Sequence, residues 1–351
     1  MKSCFSHAIV FAFLAGVTPL LAQSYNLTDL GAAPGNTISQ GYALNDLGQA
    51  CGTSDSGVAT ATLFSGGQAF DLGGFVSGDV TVATGINDSI VVVGWERFAS
   101  TATSHALIWS SGGIQDINSP SLFPGGTEAL AINDSGVVVG QGYLDNTGGN
   151  FHVFTYANGK MVDIGPPGAF QAVPVAINDS GGMIVSYATS KDNGQAIYSN
   201  GTFTKLVAPA GTSVRANAIN NNGVIVGSIS YNTNSAVPHA ALYSNGVWTD
   251  LGTLPGATRG TAAVGINTAG QIIATATYQV TSYHPFIPAK TVACIIRNGV
   301  VVNLNTLIPT NSGFNLSRAI AINEAGQILC NTKTQSGVLV SNEHAVLLTP
   351  K

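Results

Sequence analysis

Residues 129–140 read ALAINDSGVVVG, and this stretch decides the fold because close variants of it recur along the chain. Each variant is a small residue, an aliphatic residue and an asparagine, followed by a turn and a second apolar run. The seven asparagines, called the marker asparagines, are Asn45, Asn87, Asn133, Asn178, Asn220, Asn267 and Asn323. Their intervals run from 42 residues (Asn45 to Asn87) to 56 residues (Asn267 to Asn323). A period in the forties is typical of propeller blades.

Each repeat contains four strand-like segments. The first segment ends at the marker asparagine. Examples of the other three are VVVG at 137–140 for the second segment, HALIW at 105–109 for the third, and MVDIG at 161–165 for the fourth. The residues two and four positions before each marker are small, which suits the crowded centre of a propeller. The first segment is therefore predicted to be the innermost strand. The sequence therefore predicts an all-β fold. We expect a seven-bladed β-propeller of four-stranded blades, with residues 23–351 as one domain.

The two ends of the repeat array complement each other. The seventh repeat stops at Lys351 after its third strand, whereas residues 26–31 (NLTDLG) form a fourth-strand sequence with no repeat before it. Pairing this N-terminal strand into the last blade would close a ring and hide the sheet edges. A linear β-solenoid is the alternative, and it does not explain the orphan strand.

The N-terminus is predicted to direct export. Residues 8–21 (AIVFAFLAGVTPLL) are almost wholly apolar, follow Lys2, and lead to Ala22. This pattern is typical of a signal peptide, here residues 1–22, with an uncleaved anchor as the alternative. We expect a secreted protein, extracellular or periplasmic, with no membrane span after cleavage. The net charge of −5, with 12 scattered Lys and Arg residues, argues against nucleic acid as a partner.

The residues most often found in metal or redox sites have structural explanations here. Cys51, Cys294 and Cys330 lie in apolar runs and are predicted to be buried thiols, although a Cys294–Cys330 disulfide stays open. The third-strand histidines recur one per repeat and should lie in separate sheets; they are His105, His152, His239 and His344. Asp88, Asp134 and Asp179 each offer one carboxylate per turn, which is few for calcium. The sequence thus predicts no metal and no cofactor.

No catalytic motif is evident. The chain has four glutamates, including Glu96 and Glu128, and no nucleophile elbow, zinc-binding helix or phosphate loop. We therefore favour a non-enzymatic binding or scaffolding module. The alternatives are a divergent propeller hydrolase or lyase acting on polysaccharide, and a purely structural cell-surface protein.

Binding is predicted on the face formed by the long, variable connections after the second and fourth strands, because such loops on rigid scaffolds usually carry function. Four polar residues stand five positions before their markers and should ring the axis there: Gln40, Glu128, Arg215 and Arg318. Aromatic residues assigned to the second-strand connections would add stacking surface: Trp95, Tyr143, Tyr231 and Tyr278. The expected ligand is extracellular, a glycan or a small anion.

The repeat resembles a known family. The pattern AIN-x-x-G-x-VVG, then an HAF-like strand, then DLG and LPG at 250–256, is similar to the extracellular HAF repeat family. The clearest matches are residues 131–165 and 218–256, whereas Gln195-Ala196 and Val292-Ala293 replace His-Ala in two repeats. The resemblance implies an exported bacterial protein of a family whose activity is mostly unassigned. It implies no catalytic residue.

Overall fold

The fold is all-β. A computed structural model describes residues 24–231, 237–279, 289–333 and 343–351. Within these ranges the chain forms 28 strands and one short 3-10 helix, Leu304–Thr306, with no α-helix. The predicted signal peptide lies outside the described residues.

The strands follow one another in four-stranded units. The N-terminal strand is β1 (Tyr25–Asp29). The first unit is β2 (Ile38–Leu44), β3 (Ala50–Asp55), β4 (Ala59–Ser65) and β5 (Gln68–Asp71). The second unit is β6 (Val80–Ile86), β7 (Val92–Phe98), β8 (Thr103–Ser110) and β9 (Gly113–Asp116). The third unit is β10 (Thr127–Ile132), β11 (Val138–Tyr143), β12 (Phe151–Ala157) and β13 (Lys160–Asp163).

The later units repeat this order. The fourth is β14 (Ala169–Ile177), β15 (Met183–Thr189), β16 (Asn193–Ser199) and β17 (Thr202–Lys205). The fifth is β18 (Thr212–Ile219), β19 (Ile225–Tyr231), β20 (His239–Ser244) and β21 (Val247–Gly252). The sixth is β22 (Thr261–Ile266), β23 (Ile272–Tyr278), β24 (Lys290–Arg297) and β25 (Val300–Asn303). The seventh contains β26 (Leu316–Ile322), β27 (Ile328–Thr332) and β28 (Ala345–Pro350).

Strand pairing is antiparallel within every unit. Among the described residues there are five separate four-stranded sheets and one eight-stranded sheet. The larger sheet holds the third and fourth units, which one parallel residue pair, Phe151 with Gln171, joins. The seventh unit takes its fourth strand from the other end of the chain. There β1 pairs with β28 from Tyr25 opposite Pro350 to Asp29 opposite Val346.

A β-bulge interrupts each inner strand three residues before its marker. In the third unit the register shifts between Ala129 and Ala131. The bulge brings the inner backbone close to the second strand, so that a Cβ on Gly140 would lie 2.1 Å from the Glu128 carbonyl oxygen and 2.5 Å from the Phe154 ring. The glycine of the VVG motif is therefore required here by close packing.

The hydrophobic core lies between the units. One cluster joins Cys51 and Ala61 of the first unit to Val92, Leu107 and Trp109 of the second. An equivalent cluster joins the last unit to the first, and it contains Ala50, Phe64, Leu329, Ala345 and Leu347. The first and last units therefore contact each other in the same way as units that are consecutive in sequence.

The marker asparagines are buried and hydrogen-bonded on both sides of the amide. Within the third turn, Asn133 Oδ1 accepts from the Val137 N–H (2.8 Å), which is the turn-forming role that the sequence predicts. Its Nδ2 donates to the Asn178 carbonyl oxygen of the next unit (3.0 Å). The same donation joins all seven markers in one cycle: Asn45 to Asn87, Asn87 to Asn133, Asn133 to Asn178, Asn178 to Asn220, Asn220 to Asn267, Asn267 to Asn323, and Asn323 to Asn45.

Removing β1 is expected to destabilise the protein strongly. A chain that begins at Ala32 loses the fully buried Tyr25 ring and the nearly buried Leu30. Loss of one large buried side chain alone costs about 3 kcal/mol or more. Thermal and urea unfolding should compare this chain with one that begins at Ser24; equal stabilities would show that β1 contributes little.

Substituting Asn133→Asp isolates one bond of the cycle. The carboxylate still accepts from Val137 but cannot donate to the buried Asn178 carbonyl. We expect a loss of about 1–3 kcal/mol in the free energy of unfolding at neutral pH. The loss should shrink in acid, where the protonated carboxyl can donate. Asn158→Asp, at an exposed turn, is the matched control, and an equal loss there would contradict the role assigned to the cycle.

Candidate functional site

The four polar residues predicted to ring the axis occupy equivalent positions. Each lies on the bulged inner strand of its unit and pairs with a residue of the second strand: Gln40 with Thr53, Glu128 with Gln141, Arg215 with Ser228, and Arg318 with Asn331. The two arginines are exposed, while Gln40 and Glu128 are half-buried. Within the described chain, no hydrogen bond or ion pair joins any two of the four.

Glu128 belongs instead to a local network with Tyr143. Gln141 Nε2 donates to Glu128 Oε2 (2.8 Å) and to the Tyr143 hydroxyl oxygen (2.8 Å). Burial, followed by the charge of Glu128, raises the pKa of Tyr143 to about 12. Two of the predicted site residues are thus brought together through the Gln141 side chain.

The predicted aromatic residues are strand residues rather than loop residues, which corrects the sequence-based placement. Trp95 lies within β7, and Tyr143, Tyr231 and Tyr278 end β11, β19 and β23. The prediction was wrong because these second strands extend further than their apolar runs suggest. Tyr231 donates to Asp250 (2.7 Å), and Tyr278 packs on the core cluster between the fifth and sixth units.

The third-strand histidines each pair with an aspartate on the fourth strand of the same unit. His105 Nδ1 lies 2.8 Å from Asp116, and His344 Nδ1 lies 2.9 Å from Asp29 across the paired chain ends. The other two pairs are His152 with Asp163 and His239 with Asp250. Since each pair is internal to one unit, the histidines do not form a shared site.

Glu96 has a structural role. It is fully buried, and its two carboxylate oxygens accept from the Phe75 and Val76 N–H groups (2.9 Å each). It therefore anchors the connection between the first and second units. The three cysteines, Cys51, Cys294 and Cys330, are buried and free, so the Cys294–Cys330 disulfide that the sequence left open is not formed.

The turns after the inner strands converge around one opening, called the short-turn mouth. A cavity of about 210 Å³ lies there, lined by five of the marker asparagines and by the aliphatic residue that precedes each of the seven markers. The residues that follow the markers carry five carboxylates around it: Asp46, Asp88, Asp134, Asp179 and Glu324. Each is bonded to its neighbour, as where the Asp46 N–H donates to Asp88 Oδ1 (2.8 Å).

Crowding changes the electrostatics of this mouth. Burial, and then the charges of Asp88, Glu324 and Asp134, raise the pKa of Asp46. Burial, Asp179 and Asp88 do the same for Asp134. Asp46, Asp88 and Asp134 bring carboxylate oxygens within 4.8 Å of one another, so they are the residues that could hold a metal ion. This convergence was not predicted from the sequence, where each turn offers one carboxylate, although a polar residue follows every marker.

A second cavity, called the Lys290 cavity, lies on the face of the long connections. It has a volume of about 330 Å³. Its lining comes from the start of β24, the end of β25 and the connection from β25 to β26: Lys290, Val292, Asn303, Asn305, Ile308, Pro309, Thr310, Ser312, Phe314 and Asn315. None of the predicted site residues lines it, yet Tyr278 is the cross-strand partner of Lys290. Paired residues point to the same face of a sheet, so this predicted aromatic residue lies beside the cavity's cation.

Neutralising one carboxylate at the short-turn mouth is expected to stabilise the fold. Asp46→Asn keeps the oxygen that accepts from the Glu324 N–H (2.8 Å), and Asn221 already fills the equivalent role for Asp179. The gain should be on the order of 0.5 kcal/mol at pH 7 and low salt, and it should shrink as salt screens the repulsion.

The pH dependence of this effect follows from the direction of the pKa shift. Because folding raises the pKa of Asp46, ionisation costs the folded state stability as pH rises through the ordinary aspartate range. Below that range the two proteins carry the same charge at this position and should melt alike. A variant that is less stable at pH 7, or a gain that persists in high salt, would contradict the repulsion.

Comparisons with known proteins bear on the fold. No protein-family profile matches this chain, and no curated protein sequence does. Solved structures do. The extracellular domain of BT4673 from B. thetaiotaomicron has a TM-score of 0.51 at 11% identity over 93% of this chain and 40% of that one. YCF48 bound to D1 peptide has a TM-score of 0.51 at 10% identity over 94% and 96% of the two chains.

TolB from Acinetobacter baumannii is also similar, with a TM-score of 0.42 at 14% identity over 74% of this chain and 63% of that one. This chain thus spans less than two thirds of the TolB and BT4673 chains it matches. No described helix is long and apolar enough to cross a membrane. At these identities the likeness concerns the fold alone, and the fold of this chain is β-propeller-like.

Proposed function

We propose that this chain is an exported, seven-bladed β-propeller of the HAF repeat type that acts as a non-enzymatic binding module through its long-connection face. The seven units are its blades, and β1 closes the last blade. Two observations support the ring: the cycle of hydrogen bonds returns from Asn323 to Asn45, and the last unit packs on the first through Phe64 and Leu329. Residues 1–22 direct export.

The Lys290 cavity carries the proposal of binding. Its volume of about 330 Å³ is at the lower end of the range for small-molecule sites. It lies on the face where the sequence predicts binding, between the variable connections rather than the uniform turns. The ligand is a glycan or a small anion.

The chemistry of this lining favours binding over catalysis. The ten described residues of the lining include one ammonium group, three amides and two hydroxyls, and none of these ten carries a carboxylate, imidazole or thiol. Glycoside hydrolysis generally requires two carboxyl groups flanking the bond. The glutamates considered for that role are committed elsewhere, Glu96 to backbone N–H groups and Glu128 to Gln141.

Filling the cavity should abolish binding without unfolding the protein. Thr310 is exposed and lines the cavity, so Thr310→Trp should block it. Ser89→Trp, at an exposed turn on the opposite face, is the matched control. Both proteins and the wild type would be screened against a glycan array and soluble organic anions, with melting temperatures measured in parallel.

We expect the wild type and Ser89→Trp to bind the same ligand and Thr310→Trp to lose it. Loss in Ser89→Trp alone would place binding at the short-turn mouth. Absence of any ligand would favour the purely structural alternative, and turnover of a polysaccharide would favour the hydrolase or lyase.

A further inference from the structure

Lys290 is an unbalanced cation at the rim of a cavity. Its ammonium group makes no ion pair or hydrogen bond with the part of the chain that the structure describes, in contrast to Lys205, which pairs with Asp192 at 2.7 Å. None of the described residues that line the cavity carries a carboxylate that could neutralise it. In a chain of net charge −5, this is a local site for an anion.

Three asparagine side chains line the cavity, and only Asn305 makes hydrogen bonds through both atoms of its amide within the described chain. Asn305 is committed to the fold: its Oδ1 accepts from the Leu316 N–H (2.8 Å), and its Nδ2 donates to the Leu316 carbonyl oxygen (3.0 Å). It also holds Asn303 by donating to its Oδ1 (3.0 Å). That leaves the Asn303 NH₂ group without a partner among the described residues, on a residue whose position is fixed.

Further polar groups line the same space. The Thr310 hydroxyl and the Asn315 side-chain amide also make no hydrogen bond within the described chain, and the Ser312 hydroxyl only accepts a long one from the Phe314 N–H (3.4 Å). Hydroxyls and amides both donate and accept, which suits a ligand that carries several hydroxyl groups. A simple anion would not use them all.

One side of the lining is apolar. Phe314 is half-buried, and Ile308 and Val292 are nearly buried beside it. An aromatic ring with adjacent aliphatic groups packs against the C–H face of a pyranose, while the polar groups reach its edge. The volume of about 330 Å³ fits a small ligand rather than a long chain segment.

We propose that the Lys290 cavity binds a hexuronic acid residue, free or at the end of an acidic oligosaccharide. Lys290 holds the carboxylate, the free amide and hydroxyl groups bind the ring hydroxyls, and Phe314 packs on the ring face. This inference rests on the proposed binding function and names its ligand class.

The test measures binding of trigalacturonic acid to the full exported chain by isothermal titration calorimetry. Lys290→Met removes the charge but keeps the length of the side chain, and should weaken binding at least about tenfold, the effect of one lost charge-assisted hydrogen bond. Lys290→Arg should weaken it less. Lys160→Met, an exposed lysine on β13, is the matched control and should bind like the wild type. Circular dichroism verifies folding.

Competition experiments distinguish an acidic sugar from a neutral sugar and from a simple carboxylate. Neutral galactotriose should bind much more weakly than trigalacturonic acid, and acetate at the same concentration should not displace it. Equal competition by acetate would overturn the sugar component, and unchanged binding by Lys290→Met would overturn the role of the cation.

The proposed function can survive the failure of this inference. If a neutral glycan or another anion binds and Thr310→Trp abolishes that binding, the cavity is a binding site and the uronate assignment is wrong. If trigalacturonic acid binds equally to the wild type, Lys290→Met and Thr310→Trp, both the assignment and the location are wrong.

Discussion

The cycle of hydrogen bonds among the marker asparagines is the constraint on which the rest of the structure depends. Each amide closes its own turn with its oxygen and reaches the next unit with its nitrogen, as Asn133 does with Val137 and Asn178. Only an amide provides an acceptor and a donor at opposite edges of so short a side chain. The bonds are buried, so an unpaired group would cost more than the bond itself gains. One residue type thereby fixes both the turn and the spacing between units.

Periodicity explains why so much of the fold could be predicted from sequence. The markers locate every inner strand, and the orphan NLTDLG segment predicts the pairing of β1 with β28. A residue that departs from the repeat pattern can still adopt the conformation of the repeat. Ile90 stands where most turns have glycine, and it still adopts the left-handed conformation, with φ of 58°. A β-branched residue is strained there, so the surrounding bonds impose the turn on it.

The candidate sites were harder to predict because they depend on which repeats meet in space. Asp46 and Asp134 lie two repeats apart, yet their carboxylates approach each other around the short-turn mouth. A count of ligands per turn cannot reveal this. Trp95 was misplaced for a different reason: β7 continues to Phe98, beyond the apolar segment that marks its start. Equivalent residues of different units lie close together in the turns after the inner strands and far apart on the third strands. The aspartates after the markers therefore form a cluster, whereas the third-strand histidines do not.

The Lys290 cavity lies in the repeat whose length departs most from the others. The interval from Asn267 to Asn323 is 56 residues, the longest between consecutive markers, and part of the excess forms the 3-10 helix Leu304–Thr306 and the connection that follows it. Asn305 pins this connection to the start of β26 through Leu316, so the added length is held in one shape instead of being left as a loose loop. Repeated units of similar sequence offer similar surfaces, and the proposed binding function needs one surface that differs from the others. The longest repeat supplies that difference, and it does so next to a lysine that nothing in the described fold requires.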